Sequence, residues 1–263
     1  MKTNYTGSCV DHTLELASED SIAQCGDMKC SLKKLRNLVN YFKDVATARE
    51  AFKNIMINAR VEPMTILQGT SNRWFFKYSE AHQALILKDH ITTFFEDFDI
   101  PDSLDRIEEE DWEMILVYEN AMKYIVQAAK VFEGELYPTA SSVIPFLDAV
   151  FLDLSTLVNN IEGGAKVFVN TLLSNLKSSR RFPNGYKDIV PYNCLTLLDI
   201  RYADIYFTKD EYHKAVQDLR LAKVYDADYL QGSNQAVAST SIIADSASDQ
   251  NCNIRNDCFS KRR

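Results

Sequence analysis

The chain has 263 residues, of which 46% are hydrophobic and 25% are charged, so it can bury a sizeable core in one large or two small domains. Its net charge of -8 argues against a protein that holds nucleic acid by its overall charge, although a local basic patch is compatible with it. The low content of 8 Gly and 6 Pro favours long helices over many short strands. Neither an apolar signal segment after Met1 nor a run of about 18 apolar residues occurs, so no signal peptide and no membrane span are predicted.

The N-terminal segment is predicted to contain an edge strand and a helix. Residues 6–10 are typical of a short strand, and residues 12–23 have the apolar spacing of a helix. The residues expected to face inward are Leu14, Ala17 and Ile22. The same segment carries the pattern Cys9-x-x-His12. Since a lone His is more often a satisfied structural residue than a ligand, the spacing alone favours a structural role for His12.

The next predicted elements are two helices joined by a loop. Ser31 is the expected N-cap of the first helix, and its apolar stripe consists of Leu35, Leu38, Val39, Phe42, Val45 and Ala46. The cations on its other faces are expected to form a solvated surface; they are Lys33, Lys34, Arg36, Lys43 and Arg49. Residues 59–72 read as a connecting loop, and a second helix is expected from Arg73 and Trp74 to about residue 97.

A helical hairpin is predicted between Trp112 and Val158, with the other helices packed around it. The apolar stripe of its first helix is Trp112, Ile115, Leu116, Met122, Ile125, Val126, Ala129 and Phe132. Residues 133–139, which include Pro138, break the helix. The second stripe is Val143, Ile144, Leu147, Val150, Phe151, Leu154, Leu157 and Val158. The short connection predicts antiparallel packing, and the off-stripe Asp148 and Asp153 argue against a membrane span.

Four adjacent carboxylates, from Glu108 to Asp111, coincide with the expected start of this hairpin. Exposed anions at a helix N-terminus are stabilised by the helix dipole by about 0.3–1 kcal/mol each. Neighbouring carboxylates on one helix point in different directions and do not share an ion well. The pattern therefore favours a solvated helix start over a metal site.

Shorter elements and a polar tail are predicted towards the C-terminus. A helix over residues 167–176 and a turn at 182–185 precede a short stripe of Leu195, Leu198, Tyr202 and Ile205. Thr208 and Glu211 fit a capping box that opens a last helix to about residue 225. After residue 230 the composition is too polar to offset the entropy of ordering. The predicted organisation is an N-terminal segment of residues 1–24, a helical domain of residues 25–230 and a disordered tail of residues 231–263.

The six cysteines stand at positions 9, 25, 30, 194, 252 and 258. Because no secretory signal is recognised, most are predicted to be free thiols in a reducing compartment. A zinc site usually uses two closely spaced ligand pairs, and both Cys25 with Cys30 and Cys252 with Cys258 are spaced more widely. No phosphate-binding glycine loop and no nucleophile motif is recognised. The residues alone therefore predict no metal and no cofactor.

Five short motifs follow one another along the chain. They are Cys9-x-x-His12-x-Leu14-x-Leu16, the helix Leu35 to Phe42, Asn72-Arg73-Trp74, Trp112 with residues 132–145, and Leu195 to Tyr202. Their order resembles the hAT superfamily of transposases and its domesticated zinc finger BED relatives. The resemblance runs from about Cys9 to Phe207. The chain departs from the family pattern at Glu15, at Phe75-Phe76 and at Ile200.

The resemblance implies an RNase H-like catalytic domain that is interrupted by a helical insertion and uses three acidic residues with two metal ions. The chain is expected to be an internal fragment that holds the insertion and its flanks. Its predicted fold is mainly all-α, with a remnant of the RNase H-like α/β domain at residues 1–24. The family's catalytic acids lie in segments that this chain does not match, so no catalytic residue and no enzymatic activity are expected. The family's dimerisation segment is unmatched too, which implies a monomer, and the family implies the nucleus.

Three functions remain open at this stage. The first is a transposase-derived helical protein that has lost catalysis and binds DNA weakly or binds other proteins. The second is a structural protein–protein interaction module without DNA binding, and the third is a fragment of an active DNA transposase. By resemblance, Trp74 is placed to stack on a flipped base and Arg73 to hold a phosphate. A packing role for Trp74, against Tyr78 or the hairpin, is the alternative.

Overall fold

The structure is a computed structural model that describes residues 10–64, 75–132, 139–178, 182, 185–188, 190–202 and 205–221. Its helices are α1 (Val10–Gln24), α2 (Gly26–Asp44), α3 (Ala46–Asn58), α4 (Phe75–Ile86), α5 (Lys88–Asp97), α6 (Glu109–Phe132), α7 (Val143–Asn159), α8 (Gly163–Lys177) and α9 (Val190–Leu198). Single 3-10 turns cover Ala140–Ser142 and Tyr186–Asp188, and residues 209–221 are also helical. Of the described residues, those up to Ala215 belong to one compact unit and residues 216–221 to a second.

The prediction of a mainly helical protein is confirmed, and no strand occurs in the described ranges. Helix α1 already begins at Val10, and Leu14, Ala17 and Ile22 are buried as predicted. Residues 6–9 of the expected edge strand lie outside the described residues, so the RNase H-like remnant stays a prediction. The polar tail, residues 231–263, also lies outside them.

Helix α6 is the centre of the first unit, because α1, α2, α4, α7 and α8 all pack against it. The hairpin of α6 and α7 is thus the element on which α1, α2, α4, α8 and α9 lie, whereas α3 and α5 pack against each other and against α2 and α4. Most of the predicted α6 stripe is buried, with Ile115, Met122 and Ile125 fully inaccessible. Leu116 was placed wrongly on that stripe, since its side chain is 49% exposed. It follows Ile115 by one residue, a step of about 100° around a helix, and therefore turns away from the core.

Helix α7, with the turn before it, is long and apolar enough to cross a membrane by composition, since residues 140–159 contain an 18-residue window with a mean hydropathy of 1.6. In the fold its stripe packs into the protein core, where Leu147 and Leu154 are fully buried. Its off-stripe Asp148 accepts a hydrogen bond from the Tyr186 hydroxyl and lies 3.2 Å from Lys187 Nζ. These contacts identify α7 as a core helix of the bundle.

Two predicted helix boundaries and one predicted buried face need correction. Helix α2 begins at Gly26 with Cys25 as its N-cap residue, so Ser31 is not a cap but a buried position inside the helix. The helix expected up to about residue 97 is divided at Leu87 into α4 and α5. On α9 the predicted stripe faces outward, since Leu198 is 64% exposed while Thr196 is buried.

Candidate nucleic-acid interface

A groove of about 290 Å³ lies between α1, α2 and α4. We call it the basic groove. Its rim carries the cations Lys29, Lys33, Arg36 and Lys77, and its floor the apolar residues Ile22, Ala23, Leu32 and Leu35. Two carboxylates, Glu19 and Glu80, also line it. An apolar floor with a cationic rim suits an anion that has an apolar body.

The spacing of α2 explains why three cations share one rim. Lys29, Lys33 and Arg36 stand at steps of four and three residues, which places them on one face of a helix. The opposite face is anchored in the core by residues such as Met28 and Leu38, both fully buried. Lys29 and Lys33 are exposed and form no ion pair within the described part of the chain. Their charges are thus available to a ligand.

The other two rim cations are already paired within the protein. Arg36 Nη1 lies 2.6 Å from Glu80 Oε1, and the Glu80 side chain is only 4% exposed. Lys77 Nζ donates to Glu19 at 2.6 Å, in a pair that is partly exposed. A nearly buried carboxylate requires such a partner, because an unpaired buried charge is costly. The Arg36 pair therefore fastens α4 to α2, and only Lys29 and Lys33 carry unbalanced charge on the rim.

The predicted site residues are only partly described. Cys9, Arg73 and Trp74 lie outside the described residues. His12 is on α1, with its ring Nδ1 3.0 Å from Glu15 Oε2 and a side chain that is 59% exposed, and it does not line the groove. The structure nevertheless joins the two motif segments, because Lys77, in the first turn of α4, pairs with Glu19 of α1.

A second feature near α2 is the environment of Asp111, which corrects the expected solvated helix start. Its carboxylate accepts hydrogen bonds from Ser31 Oγ at 2.8 Å, Lys34 Nζ at 2.6 Å and the backbone N–H of Glu108 at 3.0 Å. Burial alone would raise the pKa of Asp111, but these hydrogen bonds outweigh it and hold the pKa below its usual value. The hydrogen bond to Asp111 likewise raises the pKa of Lys34. Lys34 is thus a structural ion-pair partner and not a solvated surface cation.

The larger cavity, about 800 Å³, lies near the N-terminal ends of α2, α6 and α8. Its acidic lining residues are Asp27, Glu110, Asp111, Glu113 and Glu162. Gly164 makes room for one of them, since a Cβ there would sit 2.6 Å from Asp27 Oδ2. No group of three or more His, Cys, Asp or Glu in the described ranges has an arrangement that could hold a metal ion. A concentration of carboxylates repels a polyanion, so of these two cavities the smaller groove is the one whose charge suits an anionic ligand.

The two downstream motifs contact each other through buried polar groups. Ser141 Oγ donates to Asp199 Oδ2 at 2.7 Å, and Thr196 Oγ1 donates to the Ser141 carbonyl at 2.9 Å. Arg201 also donates to the Asp199 carboxylate, and these bonds from Arg201 and Ser141 hold the pKa of Asp199 well below its usual range. Asp199 therefore links the end of α9 to the turn that precedes α7 by accepting the hydrogen bond from Ser141. The sequence signal for it was the motif resemblance alone.

The chain is similar in part to a known family. Residues 7–120 match the family model described as the ZBED1 RNase-like helical domain. The matched segment includes α1 to α5 and the first half of α6, and therefore the whole basic groove. Neither the curated proteins nor the solved structures contain a match. The family match supports a relation of this chain to the ZBED and hAT group of transposase-derived proteins.

Proposed function

We propose that this protein is a transposase-derived helical module that binds nucleic acid through the basic groove and does not catalyse strand cleavage or joining. The observation that carries the proposal is the pair of unbalanced cations, Lys29 and Lys33, on the rim of a groove with an apolar floor. The groove is built from the segment that matches the ZBED1 RNase-like helical domain. Its α4 wall begins at Phe75, directly after the Arg73-Trp74 motif.

Electrostatics limit the strength of this binding. Lys and Arg side chains gain affinity for phosphates chiefly by releasing condensed counterions, so each contact adds a salt-dependent increment. Two unbalanced cations give a small number of contacts, and the net charge of -8 repels a polyanion at longer range. The expected binding is weak at physiological salt and strengthens at low salt.

The test compares two double variants by fluorescence anisotropy with labelled DNA across a salt series. Lys29→Gln with Lys33→Gln removes both rim charges and is expected to make the slope of log K against log salt shallower by about 1.4–1.8. Lys123→Gln with Lys130→Gln is the matched control, because both lysines are exposed on α6 and neither lines the groove. Equal salt slopes for the two double variants would remove the groove as the binding site.

Trp74 and Arg73 are proposed as further contacts of the same ligand. Stacking of one base on an aromatic side chain is worth about 1–3 kcal/mol, and an Arg can hold a phosphate. Trp74→Ala is expected to weaken DNA binding without changing the urea midpoint of unfolding. A parallel loss of stability and binding would favour the packing role, in which Trp74 packs against Tyr78 or the hairpin. Tyr78 on that helix is itself fixed to α6, since its hydroxyl donates to Glu119 Oε1 at 3.2 Å.

The absence of catalysis is proposed because two-metal strand transfer needs carboxylates that hold two ions about 3.5–4 Å apart. In the acidic stretch that opens α6, the one buried carboxylate, Asp111, is committed to Lys34 and Ser31. We expect no nicking or joining of hairpin or linear DNA in Mg²⁺ or Mn²⁺. Cleavage by the wild type that disappears in an Asp11→Ala, His12→Ala variant would instead support a fragment of an active transposase.

A protein-binding role is the second candidate, favoured by an exposed apolar surface at and after α9. Leu198 is 64% exposed, Ile200 95% and Ile205 72%. Large exposed apolar patches mark contact surfaces for other chains, and these three exposed side chains stand within eight residues of one another. The chain is still proposed to be a monomer located in the nucleus. Light scattering tests the first point, and a concentration-dependent dimer that Leu198→Glu abolishes would replace the monomer by self-association.

A further inference from the structure

We infer that the basic groove prefers single-stranded to duplex nucleic acid, because it seats one unpaired base on its floor while Lys29 and Lys33 hold the adjoining phosphates. This inference rests on the proposed function and adds the class of nucleic acid. It depends on three features of the groove: its size, its apolar floor and the spacing of the two lysines.

The size fits one small group. Sites for small molecules occupy about 300–1,000 Å³, and the basic groove, at about 290 Å³, lies at the lower end of that range. It cannot enclose a duplex segment, because the major groove of B-DNA alone is about 12 Å wide and the whole duplex is wider still. A single base that has left its stack is an occupant of the right scale.

The floor supplies an apolar contact surface, which stabilises a bound base but not a phosphate. Ile22, Leu32 and Leu35 are apolar, and Ala23 adds an exposed small residue at the end of α1. Stacked bases of a duplex cannot reach such a floor, whereas the bases of a single strand can turn outward and be covered by protein. The cations on the rim attract phosphates of a single strand and of a duplex alike. The apolar floor is therefore the part of the groove that separates a single strand from a duplex.

The rim supplies two phosphate contacts along one strand. Lys29 and Lys33 are separated by one helical turn, a rise of about 6 Å along α2. Both side chains are long and exposed, and can reach successive phosphates of one extended strand. Glu19 and Glu80 pair with Lys77 and Arg36, so these two cations offer no net positive charge to a second strand. The charge distribution thus admits one backbone on the α2 side only.

The experiment measures the anisotropy of three labelled probes of about 12 nucleotides at low salt: oligothymidylate, an abasic strand with the same phosphates, and a blunt duplex. We expect oligothymidylate to bind about tenfold more tightly than either of the others. Ala23→Leu, which fills the floor, should remove that preference and leave duplex binding unchanged. Gln24→Leu is the matched control, since this neighbouring exposed residue does not line the groove.

The outcomes separate the inference from the proposed function. Equal binding of oligothymidylate and the abasic strand, or tighter binding of the duplex, overturns the inference and leaves nucleic-acid binding in place. An unchanged preference in Ala23→Leu also overturns it. Loss of binding to all three probes by the wild type overturns the proposed function, and the inference with it.

Discussion

Removing the Asp111 carboxylate should destabilise the protein far more than removing its neighbour Glu110. Asp111→Ala deletes the acceptor of three hydrogen bonds, from Ser31, Lys34 and the Glu108 backbone. The buried Ser31 hydroxyl then lacks its partner, which costs about 1–3 kcal/mol, and the lost cap of α6 costs about 1 kcal/mol more. Lys34 is 22% exposed and can reach water, so we do not add the full penalty of a buried unpaired charge.

The expected loss is therefore about 2–4 kcal/mol in the free energy of unfolding, measured by urea denaturation followed by circular dichroism. Glu110→Ala is the control, because Glu110 is exposed in the same first turn of α6 and contributes only its interaction with the helix dipole, about 0.3–1 kcal/mol. A double-mutant cycle with Ser31→Ala should show coupling between the two positions. Losses of equal size for Asp111→Ala and Glu110→Ala would refute the argument that burial and the contact with α2 set these residues apart.

Three further predictions concern acid stability, a helix cap and two adjacent lysines. Asp111 and Asp199 have pKa values below the usual aspartate value of 3.8, so their charged forms stabilise the fold above that pH, and this stabilisation is lost as the pH falls through the lower pKa values of the folded state. The free energy of unfolding of the wild type should therefore decline more steeply in that pH window than that of Asp111→Ala. Thr208→Ala should destabilise the helix of residues 209–221 by about 1 kcal/mol, because Thr208 Oγ1 accepts a hydrogen bond from the Glu211 N–H at 3.3 Å. The circular dichroism signal of helix should fall, and an unchanged signal contradicts this prediction. Lys34→Gln should lower the urea midpoint and spare DNA binding, whereas Lys33→Gln should do the reverse; the same profile for both would contradict the division of α2 into two faces.

Apolar spacing predicted most helices well, because the residues that a helix buries recur at three- and four-residue steps, and this spacing is visible in the sequence. The capping box at Thr208 was also readable, and it is confirmed by the reciprocal bond from the Thr208 N–H to Glu211 Oε2 at 2.7 Å. Its two partners are three residues apart, so the interaction is local. Local contacts of this kind depend on sequence spacing alone.

Contacts between distant segments could not be read in the same way. Ser31 and Asp111 are 80 residues apart, and each has a plausible local role, as an N-cap and as a solvated acid at a helix start. The fold replaced both roles by one buried hydrogen bond. The ion pair of Arg36 and Glu80 could not be predicted for the same reason, because its partners lie far apart in sequence. The groove that this pair helps to shape was therefore not predicted either. On α9 apolar spacing predicts the wrong inner face, because the buried Thr196 donates a hydrogen bond to the Ser141 carbonyl, a polar contact that apolar spacing does not record.

The cations of helix α2 have two roles that the sequence alone does not separate: one pairs with a buried carboxylate, and others line the basic groove. The run from Lys29 to Arg36 contains four cations, and the helical step distributes them between two directions. Lys34 points with Ser31 towards α6 and neutralises the buried Asp111, while Lys29 and Lys33 stand over the basic groove. Both groups of cations stand on one helix, which packs against the central helix through its buried residues. The structural cation Lys34 and the proposed binding cation Lys33 are adjacent in sequence but lie on different faces of α2, so the loss of one side chain should leave the contact of the other in place.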